Sequence, residues 1–282
     1  MIWPFKPRYR KQVARIEISG AIASATRKRV LEALEEVEEK KFPALLLRID
    51  SPGGTVADSQ EIYSALRKLQ DKIKIVASYG NISASGGVYI GVGAHHIVSN
   101  PGTITGSIGV ILRGNNIEKL LERVGVSFKV IKSGPYKDIL AFDRALTPAE
   151  ETILQELIDV SYGQFVRTVA EGRNLSEESV REFADGRVFT GEQALALGMV
   201  DRLGTEEDAR RWAAELGGLD PEKAECYTFE EKKPLISKLL PGNQSAFDIF
   251  PEHMPATMAR LDFEVATSGV PLWLYQPPMM VK

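Results

Sequence analysis

The run Pro43-Ala-Leu-Leu-Leu-Arg-Ile-Asp50 is apolar at consecutive positions rather than at every second one, and it stops at Ser51-Pro-Gly-Gly54 while still too short for a helix. A strand of that kind offers water no polar face, so both faces must be covered, as in a parallel strand between helical layers. The flanking sequence supplies those layers. Residues 13–20 alternate apolar and polar positions and end in Gly20, which reads as a first strand. Residues 25–41 carry Val30, Leu31, Leu34 and Val37 at helical spacing, and residues 56–69 repeat the pattern with Ile62, Leu66 and Leu69. Residues 74–78 and 96–99 are further short apolar strands, with a helix over 85–94 opening on Ser85 or Gly86. A helix over 116–124 and a strand over 128–132 follow. A long helix then opens at Thr147-Pro148, with Glu150 three residues past the cap, and runs to about residue 172. Shorter helices are expected over 176–184, 191–197 and 206–216. Strands alternating with helices predict an α/β domain with a mostly parallel sheet.

The chain has 282 residues, 44% hydrophobic and 26% charged, enough for one sizeable core. Its net charge of -3 gives no electrostatic footprint for nucleic acid. Cys226 is the only cysteine, so no intramolecular disulfide can form, and a structural role is expected for it. No Cys or His cluster has metal-ligand spacing, and no phosphate-cradling glycine motif follows a strand, so neither a metal nor a cofactor is expected. No apolar run approaches the roughly 18 residues of a membrane span. Trp3 and Phe5 beside Lys6, Arg8, Arg10 and Lys11 suit either a terminal subunit contact or a peripheral contact with an anionic membrane surface. The expected location is cytoplasmic or peripheral to the membrane. From Lys232 onward prolines multiply and no period is sustained. The chain therefore divides into an N-terminal extension (1–12), a main domain (13–230) and an irregular, proline-rich C-terminal arm (231–282).

Two of the apolar strands run into glycine pairs, Gly53-Gly54 and Gly86-Gly87, and the second pair directly follows Ser85. A serine hydroxyl needs a positioned base and donors aimed at the developing oxyanion. Glycines let a substrate backbone approach closely, and a helix opening after Ser85 would aim free N–H groups at the same point. Both pairs also serve as ordinary tight turns. With three histidines in the chain, a Ser-His-Asp triad has few candidates: His95 and His96 at the start of a strand, and His253 in the arm. Lys137 stands in the polar turn Ser133-Gly-Pro-Tyr-Lys-Asp138. A lysine acts as a base near pH 7 to 8 only if its ordinary pKa of about 10.4 is lowered, which burial can do. Ile139, Leu140 and Phe142 offer such burial, whereas Asp138 next door would favour the charged form.

Five segments together resemble the short, single-domain form of the signal peptide peptidase A family of serine-lysine proteases. They are Asp50-Ser-Pro-Gly-Gly54, Ala84-Ser-Gly-Gly87, Thr105-Gly-Ser-Ile-Gly-Val110, Ser133-Gly-Pro-Tyr-Lys-Asp138, and Gly186-Arg-Val-Phe-Thr-Gly191 through Gly198-Met-Val-Asp201. The resemblance spans about residues 13 to 205. It implies Ser85 as nucleophile, Lys137 as general base, Ser107 as the hydroxyl that orients the lysine, and Gly54 and Gly86 as oxyanion-hole amides. It implies a crotonase-like, Clp-protease-type spiral of β and α elements. It further implies a homo-oligomer, an octamer for short forms, with serine and lysine of one site drawn from neighbouring subunits. Remnant signal peptides and other unfolded apolar peptides would be the substrates. Typical members carry an N-terminal membrane anchor, and this chain shows none. Two other functions suit such a fold: a crotonase-type acyl-CoA enzyme, which uses two backbone amides on a thioester oxygen, and a non-catalytic assembly module.

Overall fold

The computed structural model describes residues 8–229 and 272–274. A 3-10 turn, Arg8–Lys11, leads into β1 (Val13–Ser19), α1 (Ser24–Glu39), β2 (Ala44–Ser51), the short β3 (Gly53–Thr55), α2 (Val56–Gln70), β4 (Lys74–Ala84), α3 (Gly86–Gly91), β5 (His96–Ser99) and β6 (Ile104–Gly106). Then come α4 (Glu118–Val124), α5 (Pro148–Arg173), α6 (Glu177–Arg181), β7 (Val188–Thr190), α7 (Gly191–Ala196), β8 (Arg202–Leu203), α8 (Glu206–Leu216), β9 (Cys226–Thr228) and β10 (Leu272–Leu274). The main sheet runs β7-β6-β4-β2-β1-β9, with β5 joined to β4 and β8 to β5. All its pairings are parallel except β6 with β7.

Successive side chains of a strand point to opposite faces, and β2 shows what that does to a continuous apolar run. Leu45, Leu47 and Ile49 enter a core shared with Val30, Leu34 and Val37 of α1, Ile62 and Leu66 of α2 and Phe165 of α5. Ala44 and Leu46 enter a second core with Val76, Val98 and the small face Ala209, Ala213 and Ala214 of α8. Both faces of the sheet are covered, as the run over 43–50 requires.

β4 shapes the site. The residues from Val76 to Tyr79 pair with β5, and those from Ile82 to Ala84 pair with β6, so the strand changes neighbours at Gly80-Asn81. Asp50 fills that junction: its carboxylate accepts from the Asn81 N–H at 3.3 Å, Asn81 Nδ2 at 3.0 Å and the Ile82 N–H at 3.1 Å. A Cβ on Gly80 would lie 2.7 Å from Asp50 Cγ, so only glycine leaves room. Thr103 Oγ1 donates to the Gly80 carbonyl and Thr105 Oγ1 to the Ser83 carbonyl, both at 2.7 Å, fixing the last turn of the strand before Ser85.

Three expectations differ from the structure. β4 is more than twice the length expected over 74–78, because Asp50, Thr103 and Thr105 carry it past Gly80. The strand expected over 128–132 is not formed: Phe128 and Val130 are each 54% exposed and Ile131 is 91% exposed, and among the described residues no strand pairs with them. Most of the arm over 231–282 lies outside the described residues, as do Trp3, Phe5, Lys6 and His253. Within the arm, Leu272–Leu274 form β10 rather than irregular chain. It runs antiparallel to β3 with Trp273 opposite Gly54. Among the described residues no helix is long and apolar enough to cross a membrane.

Candidate active site

Ser85 stands between β4 and α3, with φ 52° and ψ -113°, a left-handed backbone that L-residues rarely adopt. Its N–H donates to the Gly106 carbonyl at 2.8 Å, and its carbonyl accepts from the Tyr89 N–H at 3.0 Å, opening α3. Such strained residues persist only where the surroundings over-determine them, and they cluster at functional sites. Here the left-handed residue ends β4 and opens α3. Gly86 is the first residue of α3, a position whose N–H has no intrahelical acceptor. Gly87 packs under the neighbouring loop, where an added Cβ would be 3.2 Å from both the Ser51 carbonyl oxygen and Ser83 Oγ.

That loop carries Gly54. The Gly53 carbonyl accepts from the Ile22 N–H at 2.8 Å, and the Thr55 N–H donates to the Ile22 carbonyl at 2.9 Å. By strand alternation the N–H and C=O of Gly54 therefore face the opposite edge, the edge along which β10 lies. A Cβ on Gly54 would sit 1.9 Å from the Ile22 carbonyl oxygen, which leaves glycine alone able to fit.

Ser107 follows Gly106, the residue whose carbonyl holds Ser85, so the pairing of Ala84 with Gly106 sets the two serines side by side. Ser107 also has a left-handed backbone, φ 50°, and its N–H donates to the Arg187 carbonyl at 2.7 Å. Ser85 and Ser107 thus follow the paired ends of β4 and β6, Gly86 opens α3, and α3 packs against β3, which carries Gly54. Ser85 is 1% exposed, whereas Lys137 lies exposed in a run of turns.

The histidines have structural tasks. His95 Nδ1 accepts from the Ile75 N–H at 3.1 Å, and His96 stacks on Trp212 at 4.3 Å between ring centres. Burial lowers the pKa of both, and the positive Lys74 beside His95 adds to it. Cys226 is half-buried in β9, and burial raises its thiol pKa. Asp50 and Thr105, which hold β4 in line with Ser85, were not singled out as supports of the site from sequence. Both lie inside the glycine motifs, and that proximity is the one signal that could have found them.

Residues 67–220 match the model of peptidase family S49. A Synechocystis sp. protein named as a candidate protease is 68% identical over 278 residues, covering 98% of this chain and 100% of that protein. A candidate signal peptide peptidase SppA of Enterococcus faecium is 36% identical over 212 residues, covering 71% of this chain and 62% of that protein. Among solved structures, a membrane-bound stomatin-specific protease, determined as a serine-to-alanine mutant, superposes with a TM-score of 0.54 at 18% identity over 79% of this chain and 99% of its own. A ClpP1 mutant from Listeria monocytogenes does so with a TM-score of 0.50, also at 18% identity, over 70% of this chain and 94% of its own. The α/β fold of Clp-protease type is the one the resemblance implied.

Proposed function

The chain belongs to peptidase family S49, and from that membership we propose that it is a serine endopeptidase with Ser85 as nucleophile and Lys137 as general base. The observation that carries this reading is the strained turn at Ser85, bonded to Gly106, followed by Gly86 at the start of α3, with the strand of Gly54 packed against that helix. Ser85 Oγ attacks the scissile carbonyl and passes its proton to the neutral lysine amine, which returns it to the leaving amine. The Gly54 and Gly86 N–H groups hold the oxyanion, a contribution typically of about 3 kcal/mol per donor. Water then releases the acyl group from Ser85 by the same route. Ser107, beside Ser85, orients the lysine.

Substrates bind as extended strands along β3, the position β10 takes, where main-chain hydrogen bonds accept any sequence that is unfolded. Apolar unfolded peptides, remnant signal peptides among them, fit that mode. The exposure of Lys137, on a segment that also exposes Phe128, Val130, Ile131, Tyr136 and Phe142, supports a site completed by a second copy of the chain in a homo-oligomer. The test is hydrolysis of a fluorogenic apolar peptide by wild type, Ser85→Ala and Lys137→Ala. Turnover confined to wild type is expected. Turnover retained in either variant would remove the dyad, and coenzyme A binding with no acylation of Ser85 would point to an acyl-CoA enzyme.

A further inference from the structure

The turn that bears Lys137 has no regular structure, so something other than a helix or strand must fix where the amine points. The structure places one guanidinium in that position. Arg144 Nε donates to Asp138 Oδ2 at 3.2 Å, and its Nη2 donates to Asp138 Oδ1 at 2.9 Å and to the Asp138 carbonyl at 3.0 Å. The same fork reaches Glu150, with Nη1 to Oε2 at 2.8 Å and Nη2 to Oε1 at 2.5 Å, and Nη1 also donates to the Ala145 carbonyl at 3.0 Å. Planar, multidentate pairs of this kind fix geometry as well as charge.

Glu150 is anchored in turn. Its residue is 1% exposed, and it closes the capping box of α5 by accepting from the Thr147 N–H at 2.9 Å. Further along, α5 packs on the helix that begins after Ser85. Phe165 meets Tyr89 with ring centres 5.2 Å apart, and Gln164 Nε2 and Thr168 Oγ1 each donate to the Tyr89 hydroxyl at 3.1 Å. The turn of Lys137 and the helix of Ser85 are therefore mounted on one rigid helix.

The fork also settles a question of charge. An aspartate beside a lysine would ordinarily pair with it and hold it protonated. Asp138 instead gives its carboxylate to Arg144 and to Lys132 Nζ, which donates to Oδ1 at 2.6 Å. These two cations hold the Asp138 carboxyl well below the usual carboxylate range. The charged groups gathered here are Lys132, Asp138 and Arg144 from the segment itself, Glu150 and Glu151 from α5, and Glu118 from α4, whose Oε2 accepts from the Ala145 N–H at 3.2 Å.

We propose that Arg144 is the positioning residue of Lys137: it pins the lysine turn to α5 and keeps the Asp138 carboxylate away from the neighbouring amine. The inference rests on Lys137 being the base. The experiment is the pH dependence of kcat and KM for the fluorogenic peptide, with full-length Arg144→Met, Asp138→Asn and the double variant. In Arg144→Met the freed carboxylate moves the acid limb up by about one pH unit and lowers kcat at pH 7 roughly tenfold, with KM little changed. Adding Asp138→Asn returns the limb to its wild-type place, which a purely structural loss would not do. A wild-type profile in Arg144→Met, or a limb that Asp138→Asn fails to return, would overturn the proposal. Should Arg144→Met not fold, Asp138→Asn alone decides: an unmoved limb is expected there, and a limb moved to lower pH would mean that the carboxylate already acts on the amine and overturn the proposal. Lys137→Ala separates the two readings: activity there removes the dyad itself, while an inactive Lys137→Ala beside an unaffected Arg144→Met removes only the role of Arg144.

Discussion

Ser85 holds its left-handed backbone whether or not its hydroxyl is present, so the strain and the chemistry can be separated by substitution. Ser85→Ala keeps the strained φ of 52° and loses the nucleophile, whereas Ser85→Gly loses both. Both variants are expected to be inactive, and the glycine form is expected to be the more stable of the two by about 1 kcal/mol, because glycine takes positive φ at no steric cost. Thermal unfolding of the two proteins side by side checks this, and an alanine form of equal or greater stability would mean that the turn is not strained. The candidate reacting residues were legible in the glycine and serine motifs, which are read from spacing alone. The conformation of Ser85 was not, because it depends on Gly106 arriving from another strand to accept its N–H. The Asp50 carboxylate is a similar case, since its three donors lie about thirty residues away and meet it only once β2 and β4 pair.

Among the elements, α5 was the most readable and the segment before it the least. Thr147, Pro148 and Glu150 announce the helix start through local hydrogen bonds, and the capping box forms as expected. The segment over 128–132 has a strand-like sequence, yet strands need partners, and the sheet's outermost strands here are β7, β8 and β9. Its exposed apolar side chains read as a strand only if burial within the same chain is assumed. The α5 start also has a pH signature. The Arg144 guanidinium, helped by the Thr147 N–H, lowers the Glu150 carboxyl from its ordinary value to about 2. A depressed folded-state pKa contributes stability that is present above the ordinary carboxylate pKa and is lost as pH falls toward 2. Urea midpoints measured from pH 6 down to pH 2 should therefore fall less steeply for Glu150→Gln than for wild type, and parallel curves would remove Glu150 from the acid response.

At the scale of the whole molecule, Ser85 is buried while Lys137, its proposed partner, is exposed. If neighbouring copies complete each other, two inactive variants can repair one another. Equal amounts of Ser85→Ala and Lys137→Ala, unfolded together and reassembled, should recover about a quarter of wild-type activity, since one intact partner is drawn at random for each half of a site. No recovery would place both residues within one subunit. The resemblance implied such sharing, but the motifs by themselves name residues without saying which copy of the chain presents them. The pairing of β10 with β3 has a consequence of another kind. A strand carried on the same chain as the edge it occupies has a local concentration set by connectivity, not by how much protein is in the tube. Dilution, which strips away a free product, leaves it in place, so an incoming peptide competes with a tethered rival whose advantage is the same at every protein concentration.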